Sequence, residues 1–437
     1  MIQSQFKKLD GHLQEVLKGA SSALLIRVLG TMLGFIVSVV IARWLGADGS
    51  GVYFLALSVV TIAATVGRLG FDNTVVRFIA AHASQGEWSD VDFVYRTAVK
   101  FVSFFSLLLG ILMFFCAGWL AVDVFGKPFM KFPLQVAAVA VLPLSWAMIH
   151  AECLRGLKKI PSSQWIKTVL ISLVCLLLLY PSISLWETNG AVISYTAAVI
   201  ITAIVAWLLW KRVWVGIEKG QQNSSLSAQN LLQSSWPLFV VALAGLLIQQ
   251  TATILLGIWG TPEDVGVFNV ANRIASLLLF PLMAMISILA PKFSEIHRSG
   301  DKEGLKKLAQ KSSRVLMLFA GSVALFVGMN AELILSFFGE NFIEGAFILQ
   351  VLLIGVVVNA SAGAVIELLM MTGNETLVRR NILSSAGIQF LLCIILIPIY
   401  GMSGAACAVV IGGVLWNVWT VWTVKEALGY WPVGRGE

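Results

Sequence analysis

From residue 20 onward the chain alternates long apolar runs with short polar turns. A helix crosses the hydrocarbon core of a bilayer with about 20 mostly apolar residues. Windows of that kind fall at 20–43, 51–71, 96–122, 132–154, 165–186 and 189–210. A second set falls at 231–259, 265–290, 314–338, 346–371, 381–399 and 402–424. The runs are continuous rather than dyadic, which excludes the alternating strands of a membrane barrel. The pattern predicts an all-α polytopic membrane protein of twelve transmembrane helices.

Composition agrees. Of 437 residues, 58% are hydrophobic and 12% charged, whereas a soluble domain carries about 25% charged residues to coat a water-facing surface. Lipid is therefore the solvent for most of the exterior. The opening stretch "MIQSQFKKLDGHLQEVLKG" is polar and mildly amphipathic, with no small-residue cleavage site, and predicts no cleavable export signal. Cys116, Cys153, Cys175, Cys393 and Cys407 lie in or beside apolar segments without metal or redox spacing. They read as small packing residues, and neither a metal site nor a cofactor is expected.

Charge then orients the spans, because basic residues stay on the cytoplasmic side. With both termini cytoplasmic, 24 of the 30 basic residues fall inside. Only Arg43, Lys127 and Lys131 fall outside, while Arg27, Arg68 and Arg273 fall within spans. The outer turns carry Asp48, Asp123, Glu187, Glu263, Asp264, Glu340 and Glu344 instead. The net charge of +7 is thus a topology signal and calls for no nucleic-acid partner.

The most polar stretch between the apolar blocks, "GIEKGQQNSSLSAQN" (216–230), marks a linker between two six-span halves, 1–215 and 231–437. At an offset of 215, "RWLGADGSGVYFLA" (43–56) lies over "IWGTPEDVGVFNVA" (258–271), matching Trp44 to Trp259, Gly51 to Gly266 and Ala56 to Ala271. In the same register Arg77-Phe78 falls on Lys292-Phe293, His82 on His297, Ser84 on Ser299 and Glu152 on Glu367. An even number of spans per half gives both halves one orientation, as in parallel-repeat transporters.

"ARWLGADGSGVYFLA", "GRLGFDNTVVRFIAAH", "LRGLKKI" (154–160) and "LMMTGNETLVRR" (369–380) make the chain resemble the multidrug/oligosaccharidyl-lipid/polysaccharide exporter superfamily. Within it the resemblance is closest to the bacterial polysaccharide (O-antigen-type) flippases and runs in order over essentially the whole chain. It implies a two-lobed bundle like that of the multidrug members, with a central cavity that opens alternately to either side. It also implies a cargo, an undecaprenyl-diphosphate-linked oligosaccharide moved across the bacterial inner membrane with its prenyl tail left in lipid. A polysaccharide polymerase and glycosyltransferases would be its partners. The similar lipid II flippases typically have fourteen spans, against room for twelve here.

Ionisable groups in spans cost roughly 2.5–3.5 kcal/mol on insertion scales and usually face a bundle interior or wet cavity. One reading has Arg27, Arg68 and Arg273 line the cavity and hold the diphosphate, since a guanidinium stays charged and presents a planar fork to phosphate oxygens. The resemblance adds that basic residues of spans 1, 2 and 8 do this work in lipid II flippases. The other reading pairs these arginines with Asp72, Glu152 or Glu367 to lock helices together. Glu152 and Glu367, symmetric in the repeat, read as tethers to the following basic loops or as a proton- or cation-coupling site. Asn272, Gln249 and Gln250 offer hydrogen bonds to sugars. His150 reads as a polar residue at a helix end, and 298–314 as either an amphipathic helix on the anionic inner leaflet or an ordinary solvated connector.

No Walker loop, GxSxG or metal-spaced His/Cys set occurs, and outer turns of about ten residues leave no room for the catalytic loop of a membrane polymerase. The expectation is a flippase rather than an enzyme. The alternative is a multidrug or cation antiporter of the same superfamily. That would want an acidic cavity, and three intramembrane arginines weigh against it.

Overall fold

In the computed structural model, described over residues 11–215 and 226–434, every regular element is helical. The main helices are α1 (Gly11–Gly67), α2 (Phe71–Gln85), α3 (Trp88–Trp119), α4 (Lys131–Val139), α5 (Val141–Gly156) and α6 (Ile171–Val215). They continue as α7 (Ala228–Trp259), α8 (Pro262–Leu277), α9 (Phe280–Arg298), α10 (Lys302–Met329), α11 (Ala346–Ala362), α12 (Val365–Met371) and α13 (Glu375–Leu428). Helices satisfy every backbone donor and acceptor within one segment, which lipid demands. Among the described residues, eight helical stretches are long and apolar enough to cross a membrane. The chain is a multi-pass membrane protein.

Three of those stretches are broken by one non-helical residue: Gly46 in α1 (φ 67°, ψ −172°), Glu187 in α6 (φ 49°, ψ −126°) and Gly401 in α13 (φ 53°, ψ −130°). At the last two the chain folds back on itself. Cys175 Sγ lies 3.8 Å from Ser194 Oγ, although nineteen residues of straight helix would span about 28 Å. Asn381 Nδ2 likewise donates to Thr423 Oγ1 at 2.9 Å across the second reversal. Both hairpins close on a glycine. An added Cβ at Gly190 would fall 2.0 Å from the Ser182 carbonyl oxygen, and at Gly404 2.1 Å from that of Leu396. The breaks sit where the apolar pattern separates 165–186 from 189–210 and 381–399 from 402–424.

The segment expected as one span at 265–290 is instead two helices, α8 and α9, separated at Leu278–Leu279. The cause is a proline at position 281, in the first turn of α9. It supplies no backbone donor to the preceding turn, so α8 cannot run on. The expectation of a separate surface helix at 298–314 is also corrected. Residues 302–314 are the first turns of α10, continuous with its apolar part. Leu305 and Ala309 are buried in a core with Phe293, Leu368 and Val424, and Leu308 packs against it. The apolar face of this segment meets protein rather than the leaflet.

The chain packs as two compact units. One comprises Met1–Val37, Val59–Asp123 and Lys127–Ala242; the other comprises Ser38–Ser58, Val124–Gly126 and Leu243–Glu437. The first has a core of Phe71, Val75, Ile79, Val94, Leu154 and Trp210, contributed by α2, α3, α5 and α6. In the second, α8 crosses the second arm of α1 at two glycines matched by the sequence repeat. A Cβ at Gly51 would fall 1.7 Å from the Pro262 carbonyl oxygen, and one at Gly266 2.1 Å from that of Ala47. Both residues of the first contact map onto those of the second at the offset of 215, so the crossing is symmetric at that offset. Only a missing side chain permits backbones this close. Of the expected linker, 216–225 lies outside the described residues and 228–230 already belongs to α7.

Candidate functional site

Helix α8 begins sharply. Thr261 caps it by accepting from the Asp264 N–H at 3.1 Å, and Asp264 returns the bond to the Thr261 N–H at 2.7 Å. One face is then buried through Val265, Phe268, Ala271, Ile274 and Ala275. The other carries Asn269, Asn272, Arg273 and Ser276, at the i, i+3, i+4, i+7 spacing of one helical face. The first three are half-buried and Ser276 is exposed. Asn269 is fixed at both ends: its Nδ2 donates to the Val265 carbonyl at 2.8 Å, and its Oδ1 accepts from Thr253 Oγ1 at 3.2 Å.

That last bond sets the register of α7 against α8. Thr253 and Asn269 are equidistant from the turn at Thr261, and so are Gln249 and Arg273. Gln249 and Gln250 therefore stand level with Arg273, one turn beyond the Thr253–Asn269 bond. Gln389 of α13 donates to the Ile248 carbonyl at 2.8 Å, bringing a third helix to this level. Arg273 forms no ion pair among the described residues, and the group it interacts with electrostatically is Tyr53. A guanidinium without an ion pair among the described residues, on a helical face it shares with Asn269 and Asn272, suits an anion that also presents hydroxyl groups. Asn269, Thr253 and Ser276 were not singled out in the sequence, although the spacing of polar residues on α8 was there to be read.

The other charged positions divide cleanly. Arg27, on the first arm of α1, is exposed and forms no ion pair among the described residues. Arg68 is buried and answered locally: its Nε lies 2.9 Å from both Asp72 carboxylate oxygens, and its Nη2 donates to Thr65 Oγ1 at 3.0 Å. Glu152 is buried between two cations, Arg155 at 2.7 Å and Lys167. Glu367 is half-buried and forms no ion pair among the described residues. The repeat explains the asymmetry, because the positions matching Arg155 and Lys167 are Met370 and Ile382. His150 is buried, with Nδ1 2.7 Å from the Trp146 carbonyl and Nε2 3.2 Å from the Tyr95 hydroxyl. The five cysteines are free thiols.

Residues 16–297 match the model of the family described as "Polysaccharide biosynthesis protein". The chain belongs to that family. Among proteins of similar sequence, it is 22% identical over 95% of its length to stage V sporulation protein B of Bacillus subtilis, covering 84% of that protein. It is 23% identical over 87% of its length to the probable low-salt glycan biosynthesis flippase Agl15 of Haloferax volcanii, covering 77% of it. Among solved structures, the lipid II flippase MurJ in an inward closed conformation superposes with a TM-score of 0.76 at 14% identity, over 92% of this chain and 87% of that one. An inward-facing multidrug resistance MATE transporter of the MOP superfamily superposes at 0.72 and 14% identity, over 94% and 98%. This polysaccharide-biosynthesis family member thus has the MATE/MurJ fold. Lipid-linked glycan and drug transporters share that scaffold, so the cargo has to be argued from the site.

Proposed function

We propose that the protein flips an undecaprenyl-diphosphate-linked oligosaccharide, an O-antigen or other surface-polysaccharide repeat unit, across the bacterial inner membrane by alternating access. Residues 1–215 and 231–437 act as its two lobes and both termini are cytoplasmic. It is a transporter rather than an enzyme. The observation that carries the reading is Arg273, a half-buried guanidinium on α8 without a counter-ion among the described residues and beside asparagines on one helical face. A group that costs several kcal/mol to insert and forms no internal pair is kept for a ligand of opposite charge.

Arg273 in the second unit and Arg27 in the first are each proposed as diphosphate contacts, since neither guanidinium forms an ion pair among the described residues and each can offer parallel N–H donors. Asn272, Gln249 and Gln250 take the first sugars by hydrogen bonds. Arg68 is left to Asp72, and Glu152 to Lys167 and Arg155, as struts inside the first unit. Of the acids weighed for coupling, only Glu367 lacks an ion pair among the described residues, so coupling is assigned to it. The cargo is supported by the family match and by the similarity to the probable glycan biosynthesis flippase of Haloferax volcanii.

The test is depletion of the protein in its own host. Undecaprenyl-diphosphate-oligosaccharide should accumulate in the inner leaflet while surface polysaccharide is lost, and polymerase and glycosyltransferase activities should persist. Intact surface glycan with raised drug sensitivity would replace this reading with the antiporter.

A further inference from the structure

Helices α2 and α3 are joined by only Gly86 and Glu87. Gly86 takes a left-handed conformation (φ 76°, ψ 13°) and closes α2 on the Ala83 and His82 carbonyls. Glu87 then stands at the N-cap of α3, where a carboxylate normally accepts from the first backbone N–H groups. It makes no such bond. Its Oε2 instead lies 2.5 Å from His82 Nδ1, and the buried Asp90 places Oδ2 3.8 Å from the same nitrogen. One ligand atom from each of the three lies within 4.8 Å of the others.

The matched hairpin of the second repeat shows that the turn does not need this cluster. His297 occupies the place of His82, and Gly300 closes α9 with φ 74°. There the acid following the glycine, Asp301, caps α10 by accepting from the Gly304 N–H at 2.8 Å. The positions of Glu87 and Asp90 are taken by Lys302 and Leu305. The first hairpin forgoes the cap and turns two carboxylates onto one imidazole. It also departs from its side of the protein: no Lys or Arg occurs between Arg77 and Arg96, while 298–314 holds six.

We propose that His82, Glu87 and Asp90 bind a divalent transition-metal ion, with zinc the best fit, that staples the α2–α3 turn. One imidazole nitrogen with two carboxylate oxygens is a borderline donor set of the kind zinc takes at about 2.0–2.2 Å, with water completing the shell. The ion takes the place of the direct contact between His82 Nδ1 and Glu87 Oε2. Ligands around such an ion sit about 3.4 Å apart, so Glu87 must withdraw by about 1 Å, and its side chain is 39% exposed and able to move. Asp90 and His82, carried on α3 and α2, are already placed.

The experiment titrates zinc into the chelator-stripped full-length protein in detergent, by calorimetry and by metal content after gel filtration. One zinc per chain is expected, with a raised thermal midpoint and no competition from magnesium. His82→Ala and Asp90→Asn should each weaken binding about tenfold or more, while His297→Ala at the matched turn leaves it unchanged. Should His82→Ala fail to fold, Glu87→Gln carries the same test on a half-exposed side chain. Undiminished zinc uptake in the His82, Glu87 and Asp90 variants, loss of uptake in His297→Ala, or no uptake by the parent protein would each overturn the site.

Discussion

Arg68 and Arg273 place the same group in comparable apolar surroundings, but the chain answers only one of them. Arg68, in the turn between α1 and α2, reaches the carboxylate of Asp72 in the first turn of α2 and a threonine on its other side, so its charge is spent where it stands. Arg273 has alanine, isoleucine and asparagine as its sequence neighbours, and no carboxylate pairs with it among the described residues. The repeat sharpens the contrast. The position matching Arg273 in the first half is Ser58, so the duplicated scaffold does not require a cation there. An arginine held at both cost and risk, on the less constrained of two equivalent positions, is the better sign of a ligand.

The largest expected effect follows directly. Arg273→Ala should slow transport of the lipid-linked oligosaccharide about 100-fold, the loss of about 3 kcal/mol of charged hydrogen bonding to a phosphate. Protein abundance and thermal midpoint should hold or rise, since an unpaired charge leaves the bilayer. Arg273→Lys should recover only part, because an ammonium lacks the planar fork. Transport in reconstituted vesicles and fluorescence-detected size-exclusion of the same samples decide it; lost abundance at unchanged specific transport would make Arg273 structural. Arg27→Ala should cost about tenfold in the same assay, less because an exposed cation is screened by water.

How much of this was legible beforehand depends on the range of the interaction. The all-helical, membrane-spanning character was readable because burial in lipid needs only continuous apolar runs, and the reversals at Glu187 and Gly401 fell in the gaps between those runs. The polar face of α8 was half-read: Arg273 and Asn272 stood out as charge and amide, while Asn269 and Ser276 needed the helical spacing to be applied to polar rather than apolar residues. The break between α8 and α9 was missed because Leu278 and Leu279 continue the apolar run, and hydropathy does not register the proline two positions on. The fusion of 302–314 into α10 was missed for the opposite reason. Lysines suggested a water-lipid boundary, but Leu305 and Ala309 find their partners on α9, α12 and α13, beyond any local window.

Glu152 and Glu367 make the next comparison, and it was the least legible. Their symmetry in the repeat suggested one role for both, and the difference lies in Lys167, fifteen residues downstream, and its matched Ile382. Glu152→Gln should lower stability by about 3 kcal/mol, because it leaves the Lys167 and Arg155 charges without a counter-ion. Glu367→Gln should leave the thermal midpoint unchanged or higher and slow transport about tenfold. If the two variants behaved alike in both assays, the repeat would have preserved one function in two chemical settings, and the distinction drawn here would fall.

The smallest effect tests the comparison at its root. Arg68 and Asp72 are one turn apart, with side chains 11% and 25% exposed, so their attraction is only partly desolvated and salt screens what remains. Arg68→Ala, Asp72→Asn and the double variant form a cycle whose coupling energy should be about 1 kcal/mol in thermal or denaturant unfolding. Specific transport per folded molecule should stay near the parent value in all three. The double variant is decisive, since removing both charges leaves neither stranded without its partner and returns most of the stability lost by either single change. A double variant that folds well but does not transport would mean that Arg68 also serves the cargo. Being answered by a carboxylate would then no longer separate an arginine that braces a helix from one that meets a ligand.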